Sequence, residues 1–72
     1  MYRVTETESF YPDYEYHEDY EKHEDAQERM RIMYHDVAIP ENPVVVRAEF
    51  NDNSAFVEIN DGNTIEWDIS EI

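Results

Sequence analysis

Apolar and polar positions change their period once along this chain, near Pro40. Before it, Tyr16, Tyr20, His23, Gln27, Met30, Tyr34 and Val37 recur at alternating steps of four and three, which is one face of an α-helix. Ala26 and Met33 widen that stripe. The spacing predicts an amphipathic helix over residues 13–37, with Asp13, just after Pro12, as its N-cap. A start at Ser9 with Pro12 in the first turn is the alternative. Acids crowd the N-terminal half, and Arg29, Arg31 and His35 stand near the end, as the helix dipole favours. Pro40 stops the helix, because it has no N–H and restricts Ile39. Ahead of the helix, Tyr2 and Val4 alternate with Arg3 and Thr5, but Glu6 and Glu8 then continue the Tyr2–Val4 face. Residues 1–12 are therefore expected to be extended and only loosely ordered.

After Pro43 the period becomes two. Val44, Val46, Ala48 and Phe50 point one way, and Val45, Arg47 and Glu49 the other. A loop centred on Asp52-Asn53 pairs Phe50 with Ala55, Ala48 with Val57 and Val46 with Ile59, so every pair is apolar. At the next turn, a plain two-residue Asp61-Gly62 loop would set Ile65 and Trp67 against Glu58 and Phe56 and mix core with surface. A type I turn with left-handed Gly62 and a G1 bulge instead pairs Ile59 with Asn63, Val57 with Ile65 and Ala55 with Trp67. That register keeps one apolar face, and it explains the only glycine in the chain.

The fold expected from these patterns is α+β, with one N-terminal amphipathic helix packed on a three-stranded antiparallel β-meander. Its apolar sheet face is Val44, Val46, Ala48, Phe50, Ala55, Val57, Ile59, Ile65, Trp67 and Ile69, covered by the helix stripe. The 72 residues leave room for a single domain, 1–72, with the meander over 44–69. A core this small is marginal against chain entropy, so a homodimer or a bound partner is one way to add stability.

Composition narrows the chemistry. No cysteine is present, which removes disulfides, thiolate metal sites and a catalytic thiol. No apolar run is longer than Val44-Val45-Val46, far short of the roughly 20 residues of a membrane span. The start of the chain does not resemble a secretory signal, so a cytoplasmic location is expected. Ser9, Ser54 and Ser70 lack nucleophile-elbow glycines, and one glycine cannot make a phosphate-cradling loop. His17 and Glu21 would give two metal ligands, too few for tight zinc, and Asn51-Asp52-Asn53 lacks the glycine and distal glutamate of a calcium loop. The sequence thus reads as no enzyme and as holding no metal or other cofactor. His17 is expected on a solvated face and His23 partly buried.

The charge is what stands out. Nineteen acids against five bases give −14. Ten of the carboxylates lie between Glu6 and Glu28, with Lys22 as the one base among them. On the expected helix, Glu18, Glu21, Asp25 and Glu28 form a continuous stripe, extended by Glu15 and flanked by Asp19 and Glu24. Like charges at that spacing cost a few tenths of a kcal/mol per pair, and surface helices ordinarily intersperse bases to avoid this. Glu49, Glu58, Glu66 and Asp68 are expected to share the outer sheet face with Arg47, which can pair with Glu58. Phe10, Tyr11, Tyr14, Tyr16 and Tyr20 cluster nearby. In a helix Tyr14 is the surplus aromatic, on a face shared with acids, where exposed tyrosines commonly anchor protein interfaces.

A closely spaced line of negative charge on a rigid scaffold is what a nucleic-acid backbone presents to proteins. In size, composition and charge the chain resembles the small acidic DNA-mimic inhibitors that phages encode, among them anti-CRISPR and anti-restriction proteins. That resemblance implies an inhibitor in the host cytoplasm that binds a basic protein surface, a nuclease or nucleic-acid-binding complex, through Glu15, Glu18, Asp19, Glu21, Glu24, Asp25, Glu28 and Tyr14. The alternative is an acidic interaction or regulatory module, antitoxin-like or an assembly subunit, that uses its tyrosine patch or a free strand edge. Direct binding to nucleic acid is not expected, since five bases cannot offset this field.

Overall fold

The computed structural model describes residues 1–38 and 44–72. It comprises β1 (Tyr2–Glu8), β2 (Tyr11–Tyr20), α1 (His23–Val37), β3 (Val45–Phe50), β4 (Ser54–Ile59) and β5 (Thr64–Glu71). The five strands form one antiparallel sheet in the order β2-β1-β5-β4-β3. The expected N-terminal helix on a three-stranded meander is thus corrected: residues 1–20 form a β-hairpin that extends the meander to five strands, and the helix lies in the middle of the chain.

The reason lies in an ambiguity of period. Tyr16 and Tyr20 are four apart, which satisfies a helical face and, equally, a strand face of period two. Tyr14 breaks the tie, because Tyr14, Tyr16, Glu18 and Tyr20 alternate with Asp13, Glu15, His17 and Asp19. Tyrosine also favours a pleated, half-buried surface. Strand β2 accordingly pairs with β1 from Tyr2↔Tyr20 to Thr7↔Glu15, with an irregularity at Glu8. Asp13 and Pro12 lie in this edge strand and cap no helix, and edges tolerate proline. Residues 2–8 are an ordered strand between two neighbours. Of the two acids that had argued against a buried strand, Glu6 has both its oxygens partnered there. Trp67 Nε1 donates to Glu6 Oε1 at 2.8 Å and Tyr14 Oη donates to Glu6 Oε2 at 2.7 Å.

The second half keeps most of its expected register. Phe50 faces Ala55, Ala48 faces Val57, Val57 faces Ile65 and Ala55 faces Trp67. Gly62 has φ +89°, and Ile59 N–H donates to the Asn63 carbonyl at 2.9 Å, as a glycine-bulge turn requires. Asp61 Oδ1 accepts from the Asn63 N–H at 2.9 Å, which holds the turn and keeps the Asp61 carboxyl below its ordinary pKa. One correction applies at the start of β3. The ladder slips between Val45 and Arg47, so Val45 faces Ile59, while Val46 is left 59% exposed. Pro40 and Pro43, expected to end the helix and begin the meander, lie outside the described residues.

Helix α1 covers one sheet face. From His23 onward the expected stripe holds: Ala26 and Met30 are fully buried, and Met33, Tyr34 and Val37 pack around them. Beneath lie Val4, Ala55, Val57 and Trp67, all nearly inaccessible. Lys22 occupies the N-cap without a side-chain cap, and Glu24 and Asp25 supply the negative charge that the first turn favours. The chain enters the helix from edge strand β2 and leaves toward the opposite edge, β3. Fifteen helical residues span about 22 Å, close to the width of about 19 Å of five strands. One helix therefore straps the sheet from edge to edge and leaves the other face open.

Candidate functional site

The residues singled out from the sequence divide among three surfaces. Glu15 and Asp19 lie on the face of β2 turned away from the helix, and Glu18 and Tyr14 on the helix-side face. Glu21 stands in the bend between β2 and α1, Glu24 and Asp25 in the first helical turn, and Glu28 in the second. The continuous helical stripe of Glu18, Glu21, Asp25 and Glu28 therefore does not form, since strand alternation sends adjacent residues to opposite sides. Only Glu24, Asp25 and Glu28 share the helix.

Several of these groups already have partners. Arg3 holds Asp19 with two hydrogen bonds, at 2.8 and 3.1 Å, which lowers the Asp19 pKa. Arg29 Nε donates to Glu18 at 2.7 Å, tying helix to sheet. Arg31 pairs with Glu28 on the helix surface and lowers the Glu28 pKa. Arg47 lies 3.7 Å from Glu58 and stacks over the Phe56 ring at 4.7 Å. All four arginines thus engage the protein's own carboxylates. Lys22 is the remaining base.

Tyr14 is exposed among acids as expected, but on strand β2 and not on a helix. Its hydrogen bond to Glu6 raises its pKa to about 12. Glu8, one pleat further, is also raised, first by burial and then by its neighbour Glu6. Phe10 and Tyr11 pack on each other at the hairpin end with 5.0 Å between ring centres, and Tyr11 is 62% exposed. His17 is exposed, whereas His23 is half-buried edge-on against Tyr2. No group of three or more potential metal ligands occurs among the described residues.

The open sheet face forms an ordered lattice. One row across the strands is His17, Thr5, Asp68 and Ser54; the next is Glu15, Thr7, Glu66, Phe56 and Glu49. Neighbouring strands lie about 4.8 Å apart, and alternate residues on one strand about 7 Å. Glu15, Glu66, Asp68 and Glu49 therefore recur at about 7–10 Å, separated by hydroxyls and by the Phe56 ring over which Arg47 lies. A shallow depression of about 450 Å³ lies between Thr5, Thr7, Glu15, Phe56, Glu66 and Asp68. Such a surface offers acceptors to ammonium and guanidinium groups.

Glu66, Asp68, Glu49 and Glu58 were legible in the sequence as one outer face, and Arg47–Glu58 as a pair. Joining them to Glu15 and Asp19 required the N-terminal hairpin. Its signal was the alternation of Arg3, Thr5 and Thr7 with Tyr2, Val4 and Glu6. Among the described residues no helix is long and apolar enough to cross a membrane. No protein-family model, curated protein or solved structure matches the chain.

Proposed function

We propose that this protein is an inhibitor that occupies the cationic nucleic-acid-binding site of a basic protein, a nuclease or a restriction or CRISPR complex, with carboxylates standing in for phosphates. The observation that carries the reading is the state of the arginines. All four pair with carboxylates on the protein's own surface, and the balance of −14 that remains after every base is counted needs cations from outside. A field of that sign steers the protein toward lysine- and arginine-lined clefts. The lattice of Glu15, Glu66, Asp68 and Glu49 gives it a broad flat face to present, and Glu24 and Asp25 a second, smaller one.

The test is capture from a bacterial lysate at about 0.05 and 0.5 M salt, chosen around the screening lengths, then displacement by duplex DNA. The expected result is a salt-sensitive nucleic-acid-binding protein that DNA displaces. Reversal of Glu66 and Asp68 to lysine should abolish the interaction with the fold intact. Capture that ignores DNA, or survives both reversals and the equivalent pair at Glu24 and Asp25, refutes the reading. A second reading, an acidic interaction or regulatory module, is favoured by the exposed Phe10–Tyr11 pair at the hairpin end. It predicts that Tyr11→Ala weakens capture more than the charge reversals do.

A further inference from the structure

The sheet is open, so it has two edges, and they differ. Edge strand β3 is six residues long and carries the irregularity at Val46, a device that disrupts pairing. Edge strand β2 is ten residues long. From Glu15 to Tyr20 its ladder with β1 runs without a break, Thr7↔Glu15 through Tyr2↔Tyr20. Those six residues span about 20 Å. Pro12 and the irregularity at Glu8 both lie at the hairpin end, outside that stretch. Among the described residues no strand pairs with the outer side of β2, so every second residue of Glu15–Tyr20 turns an N–H and a C=O away from the sheet.

We infer that the outer edge of β2 over Glu15–Tyr20 is a docking edge for an extended lysine- and arginine-rich segment of another protein, which adds to the sheet as a sixth strand. The main chain supplies the hydrogen bonds and the side chains select the occupant. On the open face Glu15, His17 and Asp19 alternate; on the other stand Tyr16, Glu18 and Tyr20. Tyr16 is exposed and offers a ring to a passing cation. Of the three carboxylates in this stretch, Asp19 is held by Arg3 through both oxygens and Glu18 by Arg29, so Glu15 is the one best placed to receive an incoming cation.

A second copy of this chain does not fit that edge. Symmetric antiparallel pairing centred on Tyr16 sets Asp13 opposite Asp19. Centring on His17 sets Glu15 opposite Asp19, and centring on Glu18 sets that carboxylate against itself. Like charges directly opposite are destabilising, so each register is opposed, and a cationic segment reverses the sign of each contact. The inference goes beyond inhibition by mimicry, which needs only charge. It adds a demand on the partner's backbone.

The experiment uses the full chain and a fluorescent ten-residue peptide of alternating lysine and threonine, beside the same peptide with every amide nitrogen methylated. The two carry equal charge, but the second cannot donate main-chain hydrogen bonds. Binding is followed by fluorescence anisotropy, and the site by amide hydrogen exchange. The expected result is binding at least about tenfold weaker for the methylated peptide, with exchange slowed within Glu15–Tyr20 by the unmethylated one. Glu15→Lys should weaken the latter without lowering the melting transition. Equal affinity of the two peptides, or protection that falls outside β2, overturns the inference, as does self-association of the free protein with the same edge protected. Displacement by duplex DNA judges the mimicry separately, so either idea can fail alone.

Discussion

Replacing Glu66 by lysine should stabilise the free protein while weakening its proposed interaction. Glu66 sits in the centre of the open face, with Glu15 and Glu49 each two strands away and Asp68 two residues along the same strand. At about 10 Å two unit charges in water interact by about 0.4 kcal/mol, and at about 7 Å by about 0.6 kcal/mol. Reversing the sign changes each interaction by twice its value, or about 3 kcal/mol over the three carboxylates before screening, and Arg47, which lies over the Phe56 ring opposite Glu66, offsets part of this. At about 0.1 M salt, with a screening length near 10 Å, this falls to about 1 kcal/mol. The unfolded chain, which also repels itself, trims the gain further. For a domain of this size about 1 kcal/mol equals about 4–8 °C in Tm, so the rise should be no larger than that. Trp67, the only tryptophan and fully buried, reports unfolding by its fluorescence. In about 1 M salt the gain should nearly vanish. A Tm that stays level or falls at low salt, or a gain that persists unchanged at high salt, would show that these carboxylates do not repel one another across the sheet.

Three further outcomes follow from particular contacts. Met30→Ala removes the residue buried at the centre of the helix–sheet interface and should cost about 2–5 kcal/mol; chemical denaturation that shows less than about 1 kcal/mol would place the helix elsewhere. Gly62→Ala meets open space but a φ of +89°, so its cost is conformational alone, about 1–2 kcal/mol, and a neutral result would argue against the bulged turn. Glu8 titrates above its ordinary value because of burial and Glu6. Its contribution to stability is therefore full below the unfolded pKa and is lost as pH rises through the folded one. Glu8→Gln should be more stable than the parent at pH about 7 and equal to it below about 4, the unfolded carboxylate range. A difference that grows toward acid would reverse the assigned cause.

What the sequence disclosed divides at residue 20. Beyond it, the helical stripe from His23 to Val37 and the pairings around Asn53 and Gly62 were readable, because apolar residues there fit one period and not the other. Before it, Tyr16 and Tyr20 fit both, and the alternation that Tyr14 begins is the one local sign of a strand. The choice is made at long range. Tyr2 meets Tyr20 across 18 positions, and Val4 meets Ile69 across 65. Ser9 fastens the hairpin turn to β5, since its Oγ accepts from the Thr64 N–H at 2.8 Å. Glu6 misled for the same reason. Two acids on an apolar face argue against a buried strand until Trp67 and Tyr14 are seen to supply their hydrogens to one of them. The number of acidic residues can be read from the sequence, but their arrangement depended on the period assigned to 13–20. A helix would have lined them up; a strand divides them between two faces.

That division changes what kind of partner the charge can meet. A helical stripe would have been a single row about 20 Å long, suited to a narrow groove. The sheet instead spreads carboxylates in two dimensions over a flat surface, suited to a broad basic face. The molecule is 15 Å through its thinnest direction, whereas the screening length at physiological salt is about 8 Å. The open face and the outer side of the helix therefore scarcely sense each other, and reversals on one should leave the other's attraction intact. Paired substitutions at Glu66 and Asp68, set against Glu24 and Asp25, can for this reason assign binding to one side. If both pairs weakened the same partner equally, the contact would have to wrap the molecule, and a flat docking face would be the wrong description.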